Sequence, residues 1–271
     1  MIRLAHISDL HFGREDELVV AGLLAALAEA KPDAIVVSGD LTQRAKKGQF
    51  RRARAFLDAM PKAPTLVVPG NHDVSTTNLY ERMAHHLRRY KRYITNDMQP
   101  FIEVGEVVVA GIDTVRVLST KNGRINRQQT RETCERLTAA GPGKVRIVVT
   151  HHPIDVPLGD DQRTRVARAD KAMAEFADCG VDLFLSGHLH TSQTVGTGAR
   201  YRIAGHNALV IQAGTAVSTR TRDEANSWNL LEIAAQPNPR VTIRRMAWQQ
   251  TAFAEAGVGC YEKGPDGWKP S

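Results

Sequence analysis

The sequence predicts an α/β domain built on largely buried strands, and three observations carry that reading. Short runs rich in Val, Ile and Leu alternate with segments of helical periodicity. Apolar residues make up 42% of the 271 residues and charged ones 24%, with both signs mixed along the chain, a balance that excludes disordered and fibrous classes. No apolar run reaches the roughly 18 residues that a membrane span needs; the longest, Leu18 to Ala28, is broken by Gly22.

Ile2 to Ile7 is the first predicted strand and ends at Ser8-Asp9-Leu10-His11. Glu17 to Ala30 reads as a helix with Leu23, Leu24 and Leu27 facing inward, stopped by Pro32. Ala34 to Val37 is a short buried strand ending at Gly39-Asp40. Phe50, Ala53, Leu57 and Met60 recur at helical spacing until Pro61 and Pro64 close the helix. Thr65 to Val68 is the next strand, ending at Gly70-Asn71-His72-Asp73. Phe101 to Ile112 predicts a hairpin turning at Gly105, and Arg127 to Ala139 a helix capped by Asn126. Val145 to Val149 is a fourth buried strand, ending at His151-His152. Val166 to Cys179 reads as a helix with Gly180 as its stop, and Leu183 to Leu185 as a fifth strand ending at Gly187-His188-Leu189-His190. The rest is β-rich: Tyr201 to Ile203, Ala208 to Gln212, Trp228 to Ile233 and Val241 to Trp248. Residues 1–256 are read as one domain, and 257–271, with Gly, Pro and Lys, as a loosely held tail.

Cys134, Cys179 and Cys260 are scattered, form no CxxC pair, and read as buried packing residues of a reducing compartment. Met1-Ile2-Arg3 runs into a polar-interrupted strand without the apolar core of a signal peptide, so the expected compartment is the cytoplasm. A metal site must then be built from His, Asp and Asn.

The formal charge of +7 is uneven: Thr42 to Arg54 and Asn78 to Tyr93 together carry +10, leaving the remainder at −3. Solvated helix faces are the simplest account of Arg44–Arg54 and Arg82–Arg92. Both clusters directly follow site motifs, so they would also suit an anionic substrate, a nucleic acid or an anionic membrane surface. Leu79, Met83, Leu87 and Tyr90 form an apolar stripe within 75–98, which suits a lid, a homodimer contact or a membrane-resting helix, although packing into the core is the favoured reading.

Five predicted strands end in Asp, His or Asn. In an open α/β sheet, ligands bind at the carboxyl ends of strands, where the following loops converge, so these residues should meet. Their oxygen and nitrogen donors, with no thiolate, suit Mn, Fe, Zn or Co. Phosphate-ester hydrolysis asks for such a set, because paired cations shield the anion from its nucleophile and ionise a water. Gly39, Gly70 and Gly187 are read as permitting sharp turns at the strand ends.

The motifs Asp9-Leu10-His11, Gly39-Asp40, Gly70-Asn71-His72-Asp73, His151 and Gly187-His188-Leu189-His190 resemble, in content and order, those of the calcineurin-like metallophosphoesterases. The resemblance covers residues 2 to about 190 and implies a four-layer αββα sandwich of two mixed sheets with the dimetal site at the carboxyl ends of the strands. It implies two divalent metal ions, one held by Asp9, His11, Asp40 and His190 and the other by Asp40, Asn71, His151 and His188, with Asp40 bridging. It also implies that a metal-bridging hydroxide attacks the ester, and that His72 is no ligand but a catalytic group beside the leaving oxygen.

Within that family, Gly39-Asp40-Leu41-Thr42-Gln43-Arg44-Ala45 departs from the G-D-x-x-D-R-G of Ser/Thr protein phosphatases, Gln43 standing where those enzymes carry an acid. Only about 80 residues follow the last motif, few for the capped nucleases of double-strand-break repair. The extra acidic and Trp residues of lipid A pathway hydrolases are not found. The remaining resemblance, through Asp40-Leu41-Thr42 and Gly70-Asn71-His72-Asp73, is to class III cyclic-nucleotide phosphodiesterases and glycerophosphodiesterases. The expectation is hydrolysis of a small nucleotide phosphodiester such as 3',5'-cyclic AMP. A phospholipid-like substrate is the first alternative, a nucleic acid the next, since aromatic side chains for base stacking are few near the motifs. A non-catalytic metal-binding scaffold is the alternative of another class.

Other polar residues carry simpler expectations. His6 and His206 read as packed strand residues, and His85 and His86 as part of a basic surface. His152 should point away from the ligand position by strand alternation, reaching at most a supporting place. Asp73 is read as a helix cap or a support for the site.

Overall fold

The computed structural model describes residues 1–75, 82–83, 86–119, 121–221 and 224–271. Two mixed sheets lie face to face. In the first, β1 (Ile2–Ile7), β2 (Ala34–Val37) and β3 (Thr65–Val67) are parallel. β1 continues on its other side into the antiparallel run β10 (Ser227–Ala234), β11 (Arg240–Gln249), β12 (Ala252–Gly264) and β13 (Gly267–Pro270). In the second, β5 (Val107–Gly111), β6 (Val145–Val149), β7 (Leu183–Ser186) and β9 (Leu209–Gln212) are parallel, edged by antiparallel β4 (Phe101–Val104) and β8 (Gln193–Gly196).

Strand alternation decides the layers. Leu4, Ala34, Val36 and Leu66 of the first sheet meet Val107, Val109, Ile147, Leu183 and Ile211 of the second in one inter-sheet core. Their neighbours Ala5, Ile7, Ile35 and Val37 face outward onto α1 (Glu17–Ala30), α2 (Lys47–Ala59) and α3 (Arg88–Tyr93), through Leu23, Leu27, Phe50, Ala53 and Tyr90. Val108, Val148, Phe184 and Val210 face the other way onto α4 (Arg127–Ala139) and α5 (Ala169–Asp178), through Leu137, Met173 and Phe176. The result is the expected αββα sandwich. Central strands buried on both faces explain why they read as unbroken apolar runs rather than alternating ones.

Helix ends follow local chemistry. Asp16 caps α1 by accepting from Leu18 N–H, and Lys31, in a left-handed conformation, closes it before Pro32. Asn126 caps α4 reciprocally with Gln129, as its sequence position suggested.

Four expectations are corrected. The helix expected from Val166 begins at Ala169, because the preceding segment is held extended by a bridge between Ala167 and Arg124. Residues 201–203 form no strand, only an isolated bridge between Ile203 and His206, while β8 went unread because its four residues are only half-buried and include just one Val. The tail from Gly257 is not loose: it belongs to β12 and β13, and Trp268 is 1% exposed with its indole N–H donating to Asp182 at 3.0 Å. Cys134 and Cys179 are not separate packing residues but form a disulfide between α4 and the end of α5, with Cα atoms 5.5 Å apart, and Cys260 is exposed. No spacing motif announces that bond, since helix packing alone brings together residues 45 positions apart. It also removes the cysteine argument for a reducing compartment. Among the described residues no helix is long and apolar enough to cross a membrane.

The basic segments divide between roles. Arg82 is 7% exposed and donates to the carbonyls of Val117 and Ser119, tying the chain down rather than facing a partner. Leu87 and Tyr90 of the apolar stripe pack into the outer core, while Met83 is exposed. Leu79 and His85 lie outside the described residues. On α2, Arg54 pairs with Asp58 at 2.6 Å and Arg52 pairs with Glu15.

Candidate metal centre

Asp9 and His11 follow β1, Asp40 follows β2, Asn71 and His72 lie in a single 3-10 turn after β3, His151 follows β6, and His188 and His190 follow β7. All eight converge at one edge of the paired sheets. Asp40 Oδ2 is the point they share: it stands 3.7 Å from His11 Nε2 and 3.4 Å from His151 Nε2. On one side Asp9 Oδ1 is 3.5 Å from His11 Nε2 and 3.6 Å from His190 Nε2. On the other, Asn71 Oδ1 is 3.1 Å from both His151 Nε2 and His188 Nδ1.

These spacings fit a metal. Two ligand atoms about 2.1 Å from one cation stand about 3.4 Å apart at tetrahedral angles. Asp9 Oδ1 and both ring nitrogens of His11 are buried with no hydrogen-bond partner, a costly arrangement for groups that nothing coordinates. Clusters of His and Asp with ligand atoms within 4.8 Å of one another include Asp9, His11 and His190, and Asp9, Asp40 and His151.

The backbone is bent to make this possible. Asp9, His11, Asp40, His188 and His190 all carry left-handed φ values, between 46° and 74°, which non-glycine residues adopt at a cost. Asp9 N–H donates to Gly39 O and His11 N–H to Asp40 O, fastening the two loops together while both carboxylates face the crevice. The glycines serve close approach more than turning. A Cβ on Gly70 would overlap the Asp40 carboxylate, and one on Gly187 would overlap Ser8 Oγ and Asp9 Oδ2. Gly39 alone of the three has a positive φ, 100°.

Supporting bonds select which ring nitrogen faces inward. His151 Nδ1 lies 2.8 Å from Ser38 O, leaving Nε2 toward Asp40, and His190 Nδ1 lies 2.6 Å from Thr215 Oγ1, leaving Nε2 toward Asp9. Asp73 accepts from Leu41, Thr42 and Gly70 N–H, holding the β2 and β3 loops together, which makes it a support of the site. Burial alone would push the Asp9 and Asp40 carboxyls up, but neighbouring imidazoles hold both below the usual carboxylate range. Burial opposes charge on His151 too, yet Asp40 and Asp9 raise it to about 9; burial lowers His188 to about 3 and also lowers His190 and His72. Burial and the neighbouring Asp40 charge push Asp73 up to about 6 against its three backbone donors.

His72 makes no short contact with Asp9 or His190. Its Nδ1 is 2.9 Å from Gln43 O and its Nε2 is 3.0 Å from Arg220 Nη1. His152 corrects its expectation: its ring lies 4.6 Å from that of His188, with Nδ1 2.8 Å from Thr114 Oγ1. Strand alternation does not apply, because β6 ends at Val149 and the chain has already turned. His6 is buried with Nε2 2.9 Å from Ser38 Oγ, and half-buried His206 lies outside any strand, its Nε2 2.9 Å from Val181 O. Thr215 and Arg220 were missed by sequence reading. They follow β9, and the rule that ligands gather at carboxyl ends of strands would have pointed to them.

Fold and site together define a metal-dependent phosphoester hydrolase. Residues 2–192 match the model of the calcineurin-like phosphoesterase family, and the chain belongs to that family. The cAMP/cGMP dual specificity phosphodiesterase MT0825 of Mycobacterium tuberculosis (strain CDC 1551 / Oshkosh) is 28% identical over 256 residues, covering 85% of this chain and 75% of that protein. The glycerophosphodiester phosphodiesterase GpdQ of Enterobacter lignolyticus (strain SCF1) is 38% identical over 82 residues, covering 26% of this chain and 29% of that protein. In fold, a dimetal phosphatase from Danio rerio superposes with a TM-score of 0.65 at 13% identity, covering 94% of this chain and 98% of that one.

Proposed function

We propose that the chain hydrolyses small nucleotide phosphodiesters such as 3',5'-cyclic AMP to monoesters, using two divalent cations of the Mn, Fe, Zn or Co group. One cation is assigned to Asp9, His11, Asp40 and His190, the other to Asp40, Asn71, His151 and His188. The observation that carries the reading is the single Asp40 oxygen lying between two donor sets. When bound, such a pair shields the phosphate's charge and makes a water nucleophilic near neutral pH. The nucleotide substrate is supported by the likeness to MT0825 along most of its length.

The chain's own residues do the rest. His72 N–H donates to Asp40 Oδ1 at 2.8 Å, so the same carboxylate that serves both donor sets also fixes His72 beside them. With Nδ1 2.9 Å from Gln43 O, Nε2 is the nitrogen left on the crevice side, where the imidazole, once protonated, would donate to a leaving alkoxide. His72→Ala should keep both metals yet lose far more rate on poor leaving groups than on nitrophenyl esters; equal losses would reject that role.

A glycerophosphodiester substrate is the second reading, supported by the segment shared with GpdQ. The test is turnover, with Mn restored after chelation, of bis-p-nitrophenyl phosphate, 3',5'-cyclic AMP, 2',3'-cyclic AMP, glycerophosphocholine, a short single-stranded oligonucleotide and one monoester. Fastest metal-dependent turnover of a cyclic nucleotide supports the proposal, and fastest turnover of glycerophosphocholine replaces it with the second reading. Fastest turnover of the oligonucleotide replaces it with a nuclease. Metal uptake without turnover of any ester replaces it with a binding scaffold.

A further inference from the structure

Arg220 sits in the segment that leaves β9, outside the five strand-end motifs. Ser218 holds the described residues around it: Arg220 N–H donates to Ser218 Oγ at 3.1 Å, and Asn226 Nδ2 donates to Ser218 O at 2.9 Å. Within the same segment, Thr215 Oγ1 contacts His190 Nδ1 at 2.6 Å and lies 3.5 Å from Arg220 O. The loop that supports a metal-ligand candidate is thus the loop that presents Arg220.

The guanidinium is half-buried against the rim of the centre, with Nη1 3.0 Å from His72 Nε2. His72 in turn groups with His11 and Asp40, their ligand atoms lying within 4.8 Å of one another. Among the described residues no carboxylate pairs with Arg220, in contrast to Arg52, Arg54, Arg200 and Arg244, each of which has an acidic partner. A guanidinium carries five N–H donors in a planar fork, and an imidazole lone pair satisfies one of them weakly. An anion with two oxygens is the acceptor that fork is shaped for.

We propose that Arg220 is a substrate-anchoring residue that takes a non-bridging phosphoryl oxygen of the bound ester. The oxygen replaces His72 Nε2 as acceptor of the Arg220 N–H. This uncovers His72 Nε2, which must then take up a proton before it can donate to the leaving group, and brings the guanidinium to where negative charge builds on the phosphoryl group. The inference rests on the phosphoester reading of the site, and it assigns the anion-recognising side chain to a loop beyond the last motif.

The experiment compares wild type with Arg220→Gln, Arg220→Lys and Arg220→Ala, all loaded with Mn. Three quantities are read: metal content, the dissociation constant for inorganic phosphate by calorimetry, and KM and kcat on bis-p-nitrophenyl phosphate. The expected result is unchanged metal content, phosphate binding weakened about 10- to 100-fold in Arg220→Gln, as loss of a charge-assisted hydrogen bond implies, and a parallel rise in KM. Arg220→Lys should recover part of the loss, and guanidinium ion added to Arg220→Ala should recover part as well. Phosphate binding and KM within twofold of wild type in Arg220→Gln would overturn the inference, as would loss of metal in Arg220→Lys, which marks a structural role. If wild type turns over no ester while phosphate binding still depends on Arg220, the hydrolase reading falls and the anion anchor stands. If turnover is present but phosphate binding ignores Arg220, the anchor alone falls.

Discussion

Asp73 holds Thr42 through a single carboxylate oxygen: Oδ1 accepts from the Thr42 backbone N–H at 2.9 Å and from its hydroxyl at 3.0 Å. Oδ2 accepts from Leu41 N–H at 3.1 Å and Gly70 N–H at 3.0 Å. The chain segments carrying Asp40 and Asn71 are therefore joined by one buried side chain. Asp73→Ala would leave three backbone donors unpaired in a dry site, at about 1–3 kcal/mol each before relaxation. The expected outcome is a loss of several kcal/mol in urea unfolding together with weakened Mn binding. A variant that unfolds at the wild-type urea midpoint would refute this account.

Asp40 presents a different case, because its two oxygens have separate work. Oδ1 accepts from His72 N–H, and Oδ2 faces both donor sets. Asp40→Ala should therefore lose bound metal and activity together rather than one of two ions. Metal content near wild type, measured by plasma mass spectrometry alongside retained turnover, would show that Asp40 does not bridge.

Gly187 is expected to tolerate no side chain. Its Cβ position is already occupied by Ser8 Oγ and Asp9 Oδ2, and His188 N–H donates to that same Asp9 oxygen at 3.0 Å. Gly187→Ala must push the β7 loop away from the β1 loop, separating His188 and His190 from Asp9. A stability loss of about 1–3 kcal/mol is expected, with a larger proportional loss in metal affinity. Calorimetric Mn titration equal to wild type would contradict this.

Stability should carry a pH signature at Asp113. Burial pushes this carboxyl up to about 6, against the Val115 N–H that it accepts and the charge of Lys91. A carboxyl raised in the folded state makes folding take up a proton, so stability falls as pH rises from about 4 to about 6 and stays lower above. Asp113→Asn keeps the acceptor for Val115 and removes the charge. It should match wild type near pH 4 and exceed it by about 3 kcal/mol above pH 6, at about 1.4 kcal/mol per pH unit. Urea midpoints that differ equally at both pH values would dismiss this origin.

What the sequence determined by itself is the part written locally. Val-Ile-Leu runs, the prolines after α1 and α2, and the Asn126 cap produced those elements at or near their observed ends. The Asp, His and Asn residues at five strand ends were expected to meet, and do, because a sheet's carboxyl edge gathers whatever follows its strands. Tertiary structure decided what no spacing encodes. The approach of His190 to Asp9 gathers residues from β1 and β7, strands of opposite sheets, and depends on Gly187 having no side chain. His152 could not be placed by alternation, because the strand ends two residues before the first histidine of the pair. Arg220, the Cys134–Cys179 bond and Trp268 in its buried slot against Asp182 join residues 148, 45 and 86 positions apart. Their roles arise only when packing of the sheets and helices closes those distances.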